Sequence, residues 1–105
     1  MPRKPRKRRP LKLTTADLDT HLAELPHWSV QEGKLHREYR FEDFSQAIGF
    51  ITMAALKIEA LDHHPEWSNV YNRVSVDLVT HDAGGITLKD FALAALLDKV
   101  AQRFG

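Results

Sequence analysis

The sequence predicts an α+β domain: a four-stranded antiparallel sheet with three helices packed on one face, in the order α-β-β-α-β-β-α. Three observations carry that prediction. Three stretches pair a capping motif with apolar residues at three- and four-residue steps, the mark of amphipathic helices. Between them lie two pairs of short extended runs rich in β-branched and aromatic residues. Each pair is joined by a hairpin-length link, which requires antiparallel pairing. A chain of 105 residues supports one two-layer core and not two domains.

Residues 1–11 are assigned to a disordered basic arm and residues 12–105 to the domain. Residues 1–10 are all proline or basic apart from Met1, and such a segment buries no apolar surface. The first helix opens at Thr14, with Asp17 at capping-box spacing and Leu18, Leu22 and Leu25 following at helical intervals. It must stop before Pro26. Trp28, Val30 and the run from Leu35 to Phe41 read as extended, with Glu32-Gly33 as the turn between two strands. Leu35, Tyr39 and Phe41 are expected to face the core, and Arg37 on the same side makes the alternation imperfect.

Asp43 and Gln46 open the second and longest helix, striped by Phe44, Ala47, Ile48, Ile51, Ala55 and Ile58. Gly49, Ala54 and Ala55 keep it slim. Trp67 to Tyr71 and Arg73 to Thr80 form the second strand pair, with Val74, Val76, Leu78 and Thr80 on one face. His81 ends that strand, and Asp82-Ala83-Gly84-Gly85 is a loop signal. Thr87 with Asp90 caps the last helix, whose expected stripe is Leu88, Phe91, Ala92, Ala95, Leu96 and Val100. The second sheet face or an open edge then needs cover, and a homo-oligomer, dimer or tetramer, is expected to supply it.

Composition excludes several classes of function. With no cysteine there is no disulfide framework, thiolate chemistry or Cys-based zinc site. The apolar runs are short and broken by charges, so none reads as membrane-spanning. The basic start leads into polar residues and not into a secretory h-region, which makes the cytoplasm the expected home. Arg3, Lys4, Arg6, Lys7, Arg8 and Arg9 hold six of the chain's positive charges, while the net charge is only +1. The domain itself is therefore acidic, unlike a nucleic-acid-binding body. The arm reads as a solubilising tail, with weak contact to nucleic acid or another polyanion at low salt as its alternative.

The chemistry concentrates in Glu59-Ala60-Leu61-Asp62-His63-His64-Pro65-Glu66-Trp67. Glu59 and His63, at i and i+4, are expected to share a face of the last helical turn. Pro65 disfavours the α conformation at His64, so the helix is expected to end there. Two imidazoles beside a carboxylate can give and take protons near neutral pH. His81, at a strand end, can converge on the same rim. Taken singly, each residue has a structural explanation: a histidine suits a helix C-terminus, Asp90 is a cap, and Trp28 and Trp67 are core aromatics. His21, His27 and His36 are read in that way. Three imidazoles could hold zinc, but adjacent histidine side chains diverge and no HxxxH spacing appears, so no metal and no cofactor is expected.

Glu59, His63-His64-Pro65, Tyr71, His81 and Asp90, at these spacings, resemble the signature of the pterin-4a-carbinolamine dehydratase family. The likeness runs from about Leu18 to Phe104. It takes in Trp28, the Phe41-Glu42-Asp43-Phe44 lead-in, the Leu61–Trp67 stretch and Asn69-Val70-Tyr71-Asn72. The resemblance implies dehydration of 4a-hydroxytetrahydropterin to quinonoid dihydropterin and water, in the recycling of tetrahydropterin for aromatic amino acid hydroxylases. It also implies that His63 and His64 are the main acid/base pair and that His81 is a third histidine against the substrate. On that reading Glu59 orients His63, Asp90 steadies His81 or shapes the pocket, and Trp28 walls the flat pterin. Some members of the family instead serve as a protein-binding scaffold or transcriptional coactivator, which is the rival reading here.

Overall fold

The computed structural model describes residues 11–105. The basic arm assigned to residues 1–11 therefore lies, Leu11 apart, outside the described residues. The elements run α1 (Thr15–Leu22), β1 (Ser29–Gln31), β2 (Lys34–Arg40), α2 (Phe44–Leu61), β3 (Glu66–Val70), β4 (Arg73–Leu78) and α3 (Leu88–Ala101). Single 3-10 turns occupy His81–Ala83 and Gln102–Phe104. The α+β class, the order α-β-β-α-β-β-α and the four-stranded antiparallel sheet are those the sequence predicts. Strand order in the sheet is β1-β2-β4-β3.

Local chemistry sets the boundaries. Thr14 and Asp17 form a reciprocal capping box at α1, and Thr87 and Asp90 form one at α3. At α2 only half of that device is present. Asp43 accepts from the Gln46 amide, while the Gln46 side chain turns back to the Glu42 amide. The β1–β2 turn places both Glu32 (φ 51°) and Gly33 (φ 76°) in the left-handed region, which matches the right-handed twist of a two-residue hairpin. Tyr71 (φ 52°) plays the corresponding part between β3 and β4.

Leu35 and Tyr39 of β2 meet Val74, Val76 and Leu78 of β4 in the core, and Phe41 packs at its margin. The helical stripes differ from those expected. On α2 the buried residues are Ala47, Phe50, Ala54 and Ile58, whereas Phe44 and Ile48 are exposed. On α3 they are Asp90, Phe91, Leu93, Ala94, Leu97 and Val100, and Leu88 is exposed. Both helices carry apolar residues around most of their circumference. Periodicity identified the helices, but contact with the sheet and with each other chose the inward faces. By length and composition α2 could cross a membrane; its inner stripe is instead packed in the core of this domain.

Arg37, the residue that spoiled the β2 alternation, is accommodated on the core side by a carboxylate. Asp98 of α3 accepts from the Arg37 guanidinium, from the Tyr39 hydroxyl and from Trp28 Nε1 at 3.0 Å. The guanidinium lies 4.0 Å from the centre of the Tyr39 ring. Burial, and then the bond to Asp98, pushes the Tyr39 phenol far above its ordinary range and keeps it a donor. Trp28 is thus a core residue tied to Asp98, which corrects the expectation that it walls a pterin. The opposite sheet face carries Lys34–Glu66 at 2.7 Å and His36–Asp77 at 2.9 Å. This face is mostly polar and charged, with Val70 exposed at its margin.

Replacing Asp98 would leave three donors without their shared acceptor. Asp98→Ala is expected to lower stability by about 3 kcal/mol, read as a drop in the urea midpoint with an unchanged slope. A loss below about 1 kcal/mol would show that the three donors find other partners.

Candidate active site

The site is built where α2 stops. Its C-terminal residue is Leu61, and Asp62 takes the left-handed conformation (φ 52°, ψ 38°), its amide bonding back to Ile58 and Glu59 carbonyls. Aspartate tolerates that conformation better than most residues. The helix therefore ends before the histidines and not at His64 as expected. His63 leaves the helical screw, and the i, i+4 relation to Glu59 is lost. His63 Nε2 lies 2.6 Å from Asp90 Oδ1, and His64 Nε2 lies 3.2 Å from Glu59 Oε2. The expected partners are thus corrected: Asp90 serves His63, and Glu59 serves His64.

Asp90 is fully buried, although it is charged and sits in the first turn of α3. A carboxylate so placed must be surrounded by donors. Its Oδ2 accepts from the Thr87 amide at 2.9 Å and from the Thr80 hydroxyl at 2.9 Å. The Thr80 and Thr87 hydroxyls lie 2.7 Å apart. Thr80 reaches the site because the loop after β4 is closed by a Thr80–Gly85 bridge, with Thr80 N donating to Gly85 O at 3.0 Å. Gly84, at φ 71°, makes the reversal that this closure requires.

His81 stands on the 3-10 turn inside that loop and is 78 % exposed in its side chain. It is not steadied by Asp90. Its Nε2 instead lies 3.4 Å from Glu66 Oε1. The Lys34 ammonium, hydrogen-bonded to the other oxygen of Glu66, holds that carboxyl below the usual carboxylate range. Pro65 lies between His64 and the first residue of β3.

The three histidines line one open cleft of about 310 Å³ with Asp62, Val79, Thr80, Asp82 and Lys89. Glu59 stands behind it through His64, and Trp28 is not part of it. Burial differs across the cleft in a way that suits proton transfer. The His63 side chain is 14 % exposed against a buried carboxylate, while His64 is 57 % exposed. A larger cleft of about 900 Å³, lined by Arg37, Tyr39, Asp98 and Lys99 among others, contains none of the three histidines. Thr80 and Glu66 were missed as site residues. Thr80 had counted as one more member of an alternating strand, and Glu66 only as part of the stretch around the histidines.

Comparison with known proteins identifies the family and supports the fold. A family model described as pterin 4 alpha carbinolamine dehydratase matches residues 11–100. A protein of Solibacter usitatus, provisionally named pterin-4-alpha-carbinolamine dehydratase, is 60% identical over 90 residues, which cover 86% of this chain and 95% of its own. A Burkholderia vietnamiensis protein with the same provisional name is 50% identical, over 85% of this chain and 89% of its own. Among solved structures, one from Brucella melitensis described as a transcriptional coactivator/pterin dehydratase superposes with a TM-score of 0.82. It is 42% identical and covers 86% of this chain and 98% of its own.

Removing the Asp90 carboxylate deletes a helix cap, the acceptor of a buried threonine and the partner of His63 together. Asp90→Ala is expected to cost about 3–5 kcal/mol of stability, measured by urea unfolding. If the loss were only that of an exposed cap, about 1 kcal/mol, the buried network would not be holding the loop to the helix.

Proposed function

The chain belongs to the pterin 4 alpha carbinolamine dehydratase family, and from that premise we propose that it dehydrates a 4a-hydroxytetrahydropterin to the quinonoid dihydropterin and water. The carbon–oxygen bond at C4a breaks, and the departing hydroxyl takes a proton to leave as water. The neighbouring ring nitrogen gives up its proton as the new carbon–nitrogen double bond forms. The two protons balance, and no oxidant or reductant enters.

The observation that carries this reading is the convergence of His63, His64 and His81 on one cleft, each ring already in contact with a carboxylate. Elimination of hydroxide needs an acid at the oxygen and a base at the nitrogen, and imidazoles fill both roles near neutral pH. His63 is the anchored member of the pair, because Asp90 holds its far nitrogen. His64, with Glu59 beside it, is the more exposed member. His81 reaches in from the other rim and contacts the substrate there. The reaction serves recycling of tetrahydropterin spent by a hydroxylase.

We carry self-association with this proposal. Phe44, Ile48 and Leu56 lie at multiples of four along α2 and are exposed, so they form a ridge that a second copy could cover. Light scattering at micromolar protein is expected to give a mass of at least a dimer. Leu56→Glu is expected to lower that mass, and a wild-type monomer would end the idea. The rival reading, a binding scaffold without turnover, draws on the double description of the Brucella structure. It gives no reason for three histidines with three carboxylate partners.

Stopped-flow mixing with 4a-hydroxytetrahydropterin is the direct test. Acceleration over the buffer reaction is expected. His63→Ala and His64→Ala are each expected to lower the rate at least about tenfold while far-ultraviolet circular dichroism stays unchanged. Full activity in both folded variants would remove these residues from the chemistry.

A further inference from the structure

The proposed reaction uses His63 and Asp90 but leaves unexplained why two threonine hydroxyls are buried behind them. Thr80 is 6% exposed, and Thr87 and Asp90 are fully buried. Buried hydroxyls cost free energy unless they are satisfied. Counting donors gives every hydrogen in this cluster a direction. The Lys89 amide donates to Thr87 Oγ1 at 3.2 Å. Thr80 Oγ1 has one hydrogen, and the carboxylate oxygen Asp90 Oδ2 at 2.9 Å can only accept it. The 2.7 Å contact between the hydroxyls must then be donated by Thr87. Asp90 Oδ2 takes a second hydrogen from the Thr87 amide at 2.9 Å. The hydrogens therefore run one way, from the start of α3 through Thr87 and Thr80 to Asp90.

The consequence falls on His63. With Oδ2 occupied by two donors, Asp90 presents Oδ1 as an acceptor to His63 Nε2 at 2.6 Å. The ring must donate there, since a carboxylate has no hydrogen to offer. Its other nitrogen, Nδ1, is then the one free to exchange a proton with anything in the cleft. Which nitrogen of a histidine works is set by the bond the other one makes.

We propose that Thr80, backed by Thr87, is a positioning residue that fixes His63 in the Nε2–H tautomer and so commits Nδ1 to the proton transfer. The role rests on the dehydratase reading for its catalytic meaning, while the tautomer itself can be observed without turnover. Thr80 lines the same cleft as His63, but its hydroxyl is bonded to Asp90 and Thr87 and not to the ring. It acts by holding the second oxygen of Asp90, so that the carboxylate neither rotates nor shares its donors. Replacing the hydroxyl by a methyl of the same shape leaves Oδ2 with the Thr87 amide alone. The carboxylate can then turn away from His63, and a ring no longer held at Nε2 takes up both tautomers.

Nitrogen-15 NMR of the histidine rings in the intact chain tests this first, at a pH where His63 is neutral. A single Nε2–H pattern is expected, and an Nδ1–H or averaged pattern overturns the proposal. Thr80→Val is expected to average the His63 nitrogen shifts and to lower kcat about tenfold, with KM within about twofold. Either quantity remaining at the wild-type value in folded Thr80→Val overturns it. Thr80→Ser, which keeps the hydroxyl, is expected to restore both, and its failure to do so also overturns the proposal. Should the valine variant fail to fold, the wild-type spectrum and Thr80→Ser still decide. Absence of turnover in the wild type would defeat the dehydratase reading and leave the NMR result standing by itself.

Discussion

The contact between His63 and the buried carboxylate of Asp90 joins parts of the chain that share no strand pairing. Asp90 belongs to α3, His63 to the chain leaving α2, and the Thr80 hydroxyl that completes the carboxylate to the loop after β4. A charge taken out of water must be met by donors. Here the donors come from three separate elements, so the carboxylate can be satisfied only when all three are in place. The group that holds the His63 ring also ties the three elements together. The two roles are one constraint.

That constraint depends on how α2 ends. Had the helix continued to His64, His63 would have stayed on its surface beside Glu59. The left-handed turn at Asp62 removes both histidines from the helical screw and sends them to different carboxylates. Beyond the helix the two adjacent rings diverge: one meets the buried Asp90, while its neighbour stays exposed beside Glu59. Divergence of neighbouring histidines, which counts against a shared metal ion, is thus what lets a pair flank one small cleft.

The fold and the membership of the site were largely legible in the sequence; the pairings within it were not. Thr14–Asp17 and Thr87–Asp90 announce two helix starts, and Glu32-Gly33 announces a hairpin, because each follows from interactions within four residues. The partners of His63 and His64 depend on a single backbone rotation at Asp62. No sequence pattern distinguishes an aspartate that continues a helix from one that reverses it, and Pro65 drew the expected end too far along. Trp28 was misread for a related reason. Its indole and Arg37 both depend on Asp98, seventy residues from the tryptophan, and nothing local marks that aspartate as their acceptor. Thr80 looked like one more inward residue of β4; it is buried, but it lies two residues past the strand, in the bridge to Gly85. Its chemistry appears only when α3 is laid against it.

Asp90 and Asp98 face the same problem from two turns apart on α3, and their solutions differ in what they leave free. Asp98 gathers an indole, a phenol and a guanidinium. The phenol is held well above its ordinary range, the guanidinium does not deprotonate in proteins, and an indole N–H is only a donor. None of the three exchanges protons near neutral pH, so that end of the helix is fixed. Asp90 gathers an amide, a hydroxyl and an imidazole, and the imidazole alone can change charge in that range. Both carboxylates are satisfied, Asp90 fully buried and Asp98 partly so, and what sets them apart chemically is whether a partner can exchange a proton. Each carboxylate stands beside a cleft, Asp98 at the larger and Asp90 behind the smaller. Only in the smaller does the carboxylate's partner, His63, carry a proton that can move near neutral pH.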